Sequence, residues 1–404
     1  MNARVIGWGV GLQLLLALFI FRVPAGAAFF LAVNDAVVRL MEPAMAGARF
    51  VFGRLALGPP HPESLGLFIA FQVFPTIIFF SALMAVLYHC NVMPFLIRAF
   101  ARVFSGLMGI SGAESLCAAS NIFVGVESAL TVRPHLDNMT RSELCTILTA
   151  GMATVASSVF GAYVLFLRPA FPNIAGHLIS ASIMSAPAAL VMSKIMLPES
   201  GAPATLGIAV KPHYERASGL FEAVIQGANA GLRLVGGIMA LLIAVLGLVA
   251  LADLVLGGLG AQVSRLWGVD LEWSLKGLLG YVFYPLTVIL GVAPEDAWPV
   301  ARLIGERAVG TEFAAYQSLS ALLATPGGLA DPRSAVIASY ALCGFAHVAS
   351  LGIFVGGTAA LAPSRTADLA KVGFRALIAA TLACLLTGAV AGVFLDGSSL
   401  LLGK

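Results

Sequence analysis

One short motif is written twice in this chain. Gly125-Val126-Glu127 is followed about one helix later by Ala153-Thr154-Val155-Ala156-Ser157-Ser158, and Gly310-Thr311-Glu312 by Ala346-His347-Val348-Ala349-Ser350. Each copy sets a carboxylate ahead of a small, hydroxyl-bearing interruption of an apolar segment. With 59% hydrophobic and 11% charged residues among 404, the chain has more apolar surface than one soluble core can hide, so both copies are expected in lipid. There, loosened backbone and polar side chains are tolerated only where they line a cavity or meet one another. The duplication therefore predicts one site built between two repeats, which is how secondary transporters are organised.

A crossing needs roughly 20 apolar residues. On that measure eight are predicted, near 5–21, 27–52, 65–89, 145–167, 174–197, 234–256, 334–361 and 376–395. The first begins after Arg4 and is not followed by a small-residue cleavage site in a polar region, so it reads as a retained helix and not a signal peptide. Segment 93–104 is too short and too basic to span and reads as an amphipathic helix at the interface. Segments 109–130 and 293–323 are apolar but interrupted, by Glu114, Asn121 and Glu127 in the first and by Glu295, Asp296, Arg302, Glu306, Arg307 and Glu312 in the second. Both read as re-entrant hairpins. The predicted fold is an all-α polytopic membrane protein of about eight transmembrane helices and two re-entrant hairpins in an inverted repeat, with broken helices at the site.

Four segments follow: N-terminal scaffold helices (1–91), a first repeat with interfacial helix, hairpin and broken helix (92–200), a linker and central scaffold helix (201–270), and a second repeat ending in the last helix (271–404). The clearest breaks are Gly58-Pro59-Pro60-His61-Pro62 and 198–212. If the spans alternate, Arg98, Arg133, Lys194, Lys211, Arg216 and Arg375 fall on one side, expected to be cytoplasmic, against a smaller set including Arg54, Arg168 and Arg333 on the other. The expected location is the bacterial inner (plasma) membrane. The net charge of +3 forms no basic tract, which excludes a nucleic-acid partner. Five isolated cysteines and scattered histidines give no zinc or disulfide spacing, so no cofactor is expected.

Asn121, at the predicted turn of the first hairpin, offers an amide oxygen beside freed carbonyls, hard neutral ligands that suit Na⁺. Ser157 and Ser158, with Thr154, are placed opposite it; helix packing by small residues is the alternative reading. Glu127 and Glu312 are costly in a membrane helix, roughly 3 kcal/mol on insertion scales, and each can accept hydrogen bonds from a polyhydroxylated solute. Salt bridges to Arg133 or Arg307 are the alternative. Glu114, near Ser115, reads as either a site residue or a helix cap. His347 shares its break with Phe345 and Ser350, sits where the first copy has Thr154, and reads as a substrate or proton ligand or as a structural histidine.

The chain resembles bacterial concentrative nucleoside transporters nearly end to end. The likeness rests on Ala70-Phe71-Gln72-Val73-Phe74-Pro75-Thr76, Ser111-Gly112-Ala113-Glu114-Ser115-Leu116, Asn121-Ile122-Phe123-Val124-Gly125, Met139-Thr140-Arg141-Ser142-Glu143-Leu144, Thr311-Glu312-Phe313-Ala314-Ala315-Tyr316 and Tyr340-Ala341-Leu342-Cys343-Gly344-Phe345-Ala346. It implies a homotrimer whose scaffold holds a moving domain of hairpins and broken helices, importing nucleosides by cation symport. It also implies that Asn121, the Val124 carbonyl, Ser157 and Ser158 hold Na⁺, that Glu127 faces the base, that Glu312 and Ser350 face the ribose, and that Phe345 lines the pocket. Two departures bear on the solute. The family's Gln-Thr-Glu-Ala-Pro is replaced by Val126-Glu127-Ser128-Ala129, one residue shorter, and amides are replaced by Thr311 and His347. A modified nucleoside or another polar solute, with H⁺ in place of Na⁺, is the alternative within the fold. An intramembrane hydrolase using Ser157 or Ser350 with His347 and Glu312 would need a nucleophile held by its base, and the Gly-x-Ser-x-Gly elbow is absent from the sequence.

Overall fold

A computed structural model describes residues 3–58, 61–214, 217–268 and 271–395; Pro59, Pro60 and Arg216 lie outside it, as does the side chain of Val126. Among the described residues the chain is helical and has no strand. Helices α1 (Ala3–Phe21) and α2 (Pro24–Phe52) lead to the short α3 (Ile69–Gln72) and to α4 (Phe74–His89). The expected span at 65–89 thus becomes helical only at Ile69, and Pro75 in the first turn of α4 sets the joint with α3. Gln72 steadies that joint, its amide donating to the carbonyls of Leu55, Leu57 and Gly66.

Helix α5 (Val92–Met108) is the expected amphipathic element, longer than the sequence suggested. Met93, Ile97, Ala101, Phe104 and Met108 recur at helical spacing and are buried, while Arg102 faces outward. The first hairpin descends as α6 (Gly112–Asn121) and returns as a 3-10 segment, Val126–Asn138, where an α-helical arm was expected. Pro134 cannot donate to the preceding turn, and the Thr131 hydroxyl donates back to the Ser128 carbonyl. The span expected at 145–167 is two helices, α7 (Arg141–Ala153) and α8 (Ser157–Leu167). α9 (Ile174–Met196) follows.

Helix α10 (Leu220–Trp267) is the largest departure from expectation. Its 48 residues contain no proline and extend about 72 Å at 1.5 Å per residue, well beyond the stretch 234–256. Most of its apolar side chains face outward, Leu251 and Leu254 among them. Helix α11 (Leu275–Ile289) was not anticipated; it braces α12 (Pro294–Val309) through Lys276–Glu306 at 2.5 Å, and Glu272, just before α11, pairs with Arg302 of α12 at 2.8 Å. The second hairpin is α12 and α13 (Glu312–Ala324), and the second broken helix is α14 (Pro332–Leu342) and α15 (Val348–Leu361), followed by α16 (Thr366–Phe394).

Among the described residues, seven helical stretches are long and apolar enough to cross a membrane; α14 and α15, each too short alone, supply the eighth expected crossing. The order of helix, hairpin, broken helix and spanning helix therefore occurs twice, from α5 and again from α11. Three crossings separate the start of α7 from the start of α14, so the second copy begins on the opposite side from the first. The breaks meet at the centre. Gly344 lies against the end of α7, and a side chain there would reach the Ala153 carbonyl at 2.9 Å.

Candidate functional site between the two breaks

Glu312 begins α13 at the turn of the second hairpin, where Thr311 caps the helix by accepting from the Ala314 N–H at 3.3 Å. The carboxylate is buried and held from two directions. Tyr163 of α8 donates its hydroxyl to Oε1 at 2.8 Å, and Nε2 of His347 lies 2.9 Å from Oε2. His347 is also the N-cap of α15, its Nδ1 accepting from the Ser350 N–H at 3.2 Å. That bond places the ring proton on Nε2, the nitrogen that approaches Glu312 Oε2. The two copies break at different places: residues 154–156 are unwound in the first and 343–347 in the second. His347 thus starts a half-helix whereas Thr154 ends one, which corrects the expected equivalence of the two residues.

The first hairpin brings neutral oxygens to the same region. Asn121 is fully buried; its amide donates to the Cys117 carbonyl at 3.1 Å and its Oδ1 accepts from the Ser128 hydroxyl at 2.8 Å. At the turn, the Phe123 carbonyl accepts from both the amide and the hydroxyl of Ser157, at 3.1 and 2.5 Å, and the Ile122 carbonyl accepts from Ser182 at 3.0 Å. Gly125 lets the turn approach the first break, since a side chain there would lie 2.9 Å from the Ala156 methyl. Ser157 and Ser182 thus hold the turn of the hairpin through its carbonyls, while Ser128 holds Asn121 within it.

Gly125, Glu127, Ser158, Thr311, Glu312, Phe345, His347 and Ser350 border one cavity of about 100 Å³. Phe345 is half-buried, and Glu127 is exposed to the space. Glu127 and Ser158 also border a larger cavity of about 410 Å³ that reaches Tyr88, His89, Arg133 and Tyr214. Among the described residues no ion pair joins Glu127 to Arg133 or Glu312 to Arg307; Arg307 instead donates to the Ala341 carbonyl at 2.5 Å. Glu114 lies away from the site, in a capping box with Ser111 at the start of α6 and in a buried ion pair with Lys194.

Ser350 directs its hydroxyl to the carbonyls of Phe345 and His347, and Ser157 directs its own to Phe123. Neither hydroxyl is held by the imidazole, so the nucleophile–base contact of a hydrolase is not formed. Tyr163, Ser128 and Ser182 were missed in the sequence. Tyr163 lies six residues beyond Ser157, a spacing that carries no recognisable signal, whereas Ser128 stands one place after the Glu127 singled out above.

Models of the Na⁺ dependent nucleoside transporter N-terminus and C-terminus match residues 1–55 and 177–392, and a nucleoside recognition gate model matches residues 70–170. The chain is 40% identical over 403 residues to solute carrier family 28 member 3 of Homo sapiens, covering 96% of this chain and 56% of that protein. It is 37% identical over 403 residues to sodium/nucleoside cotransporter 1 of Rattus norvegicus, covering 96% and 59%. The chain therefore spans little more than half the length of these animal relatives. An uncharacterized transporter of Bacillus subtilis is 38% identical over 394 residues, covering 97% of this chain and 93% of that one. Among solved structures, CNTnw in an inward-facing substrate-bound state superposes with a TM-score of 0.87 at 32% identity, covering 99% and 94%. A variant of CNTnw in an outward-facing state gives 0.88 at 31%, covering 98% and 92%.

Proposed function

Because this chain belongs to the Na⁺ dependent nucleoside transporter family, we propose that it imports nucleosides by cation symport, with the hairpin-bearing domain presenting one site to each side of the membrane in turn. The observation that carries this reading is Glu312: a buried carboxylate at a hairpin turn, bonded by Tyr163, close to His347 and bordering a cavity. An ionised carboxylate has about four lone-pair sites, so after these two contacts Glu312 keeps acceptors for the hydroxyls of a ribose. Ser350 and Phe345 border the same space, and Glu127, which borders both cavities, is suited to a base edge. Val126 and Thr311 flank these two carboxylates in the sequence and belong to the same proposed site.

Na⁺ is the coupling ion in this reading. The amide oxygen of Asn121, the Val124 carbonyl, Ser157 and Ser158 supply uncharged oxygens near the first break. Both ring nitrogens of His347 already have partners, which favours Na⁺ over H⁺. The moving unit would comprise the hairpins, the broken helices, α9 and α16, with α10 in the scaffold of a homotrimer in a plasma membrane. His347 in place of the family's Asn favours a second reading in the same fold, import of a modified nucleoside or other polar solute. Ligands that bind only the folded state raise its apparent stability. Thermal stabilisation of the purified protein by a panel of nucleosides and bases, in Na⁺ and in choline at two pH values, separates these readings. Stabilisation by a nucleoside in Na⁺ alone is expected. Stabilisation equal in both salts would remove Na⁺ coupling, and no response to any nucleoside would move the chain to another solute.

A further inference from the structure

Helix α8 touches the proposed ion site with one end and the proposed substrate carboxylate with its middle. At its first residue, Ser157 holds the Phe123 carbonyl of the first hairpin through both its amide and its hydroxyl, at 3.1 and 2.5 Å. Six residues on, Tyr163 donates to Glu312 Oε1 at 2.8 Å. The two contacts are about 9 Å apart along a single rigid helix. Tyr163 is fully buried and its ring packs on two neighbours of Glu312 in α13, with centroids 4.8 Å from Tyr316 and 5.5 Å from Phe313. A shift of the first half of α8 therefore reaches Glu312 through a packed ring as well as a hydrogen bond.

We propose that Tyr163 is the positioning residue through which cation occupancy at the first hairpin sets solute affinity at Glu312. The inference rests on the symport reading above. An ion that draws the carbonyls of the first hairpin together fixes Ser157, and with it the register of α8. Tyr163 then orients Glu312 so that its free lone pairs face the cavity. The Glu312 carboxylate is also held by His347 of α15, so without Tyr163 it keeps one anchor but loses the link to the first repeat. Coupling of this kind is reciprocal: the solute must raise the affinity for the ion by the factor by which the ion raises that for the solute.

The test is the ratio of nucleoside dissociation constants in choline and in Na⁺, measured on the full-length protein in detergent for the native chain and for Tyr163→Phe, which keeps the ring and removes the hydroxyl. A native ratio well above one, falling several-fold toward one in Tyr163→Phe with Na⁺-induced stabilisation retained, is the expected result. A ratio unchanged in the variant overturns the inference, and so does an equal loss of affinity in both salts, which would make Tyr163 a support for Glu312 with no part in coupling. Tyr163→His, an aromatic donor with a shorter reach, must also lower the ratio, and a native ratio there overturns the inference if Tyr163→Phe does not fold. A native ratio of one would instead break the symport reading itself.

Discussion

Around the first break the groups that hold the hairpin turn are uncharged: Asn121, Ser128, Ser157 and Ser182 bond one another or the hairpin carbonyls, and Glu127 stands beside them, open to the cavity and bonded to none of them. Around the second they are ionisable, with Glu312 held against His347 and Arg307 bonded to the end of α14. The same order of hairpin and broken helix thus supports two chemistries. Neutral oxygens at hairpin carbonyls suit a small hard cation, whereas an acceptor-only carboxylate suits a solute rich in hydroxyls. The other hairpin carboxylate of the first copy, Glu114, lies away from the site, in a buried pair with Lys194 at the base of its hairpin.

The largest effect should come from that displaced pair. Lys194→Met leaves Glu114 buried and uncompensated, which costs about 3–5 kcal/mol. A lower melting temperature in detergent is expected, with part of it recovered by adding Glu114→Gln. No change would mean that the first copy tolerates an unpaired charge, and the contrast between copies would weaken. Next is Glu312→Gln. A Gln has one acceptor oxygen, so either Tyr163 or His347 would face an amide N–H₂. Losing a buried bond to a charged group at about 1.5–3 kcal/mol, together with the acceptor for the solute, should weaken nucleoside binding roughly a hundredfold or more. Normal uptake by this variant would remove Glu312 from the site. Asn121→Ala sharpens the comparison from the other side, because it removes the oxygen that accepts from Ser128. The Na⁺ concentration for half-maximal uptake should rise about tenfold, and an unchanged dependence would take Asn121 out of the ion site.

The elements that hold these residues were legible in the sequence to different degrees. Composition and the 20-residue ruler located the long apolar helices, because lipid requires continuous hydrophobicity. Charges at Glu127 and Glu312 located the hairpins for the same reason. The ruler failed for α10, where no proline or dense charge marks an end and the helix continues to Trp267. It passed over α11, whose fifteen residues are too few to span. Glu114 could not be assigned from sequence, since its partner Lys194 comes from the far end of α9. Tyr163 was invisible because an apolar helix containing one tyrosine looks like any other, and its role depends on a carboxylate 149 residues away.

The smallest predicted effect bears on His347, a residue that belongs to both the helix frame and the site. His347 caps α15 through Nδ1 and sets Nε2 2.9 Å from Glu312 Oε2. His347→Asn separates these two tasks. Asn is a favoured N-cap, so its oxygen keeps the Ser350 N–H bonded and α15 begins where it does now. The shorter side chain withdraws the ring nitrogen from Oε2, leaving Glu312 anchored by Tyr163 alone with one more lone pair toward the cavity. Stability should change little, while the ranking of nucleosides by thermal stabilisation shifts a few-fold toward solutes that present another hydroxyl to the carboxylate. A preserved ranking with a lowered melting temperature would show that His347 serves α15 and not the solute.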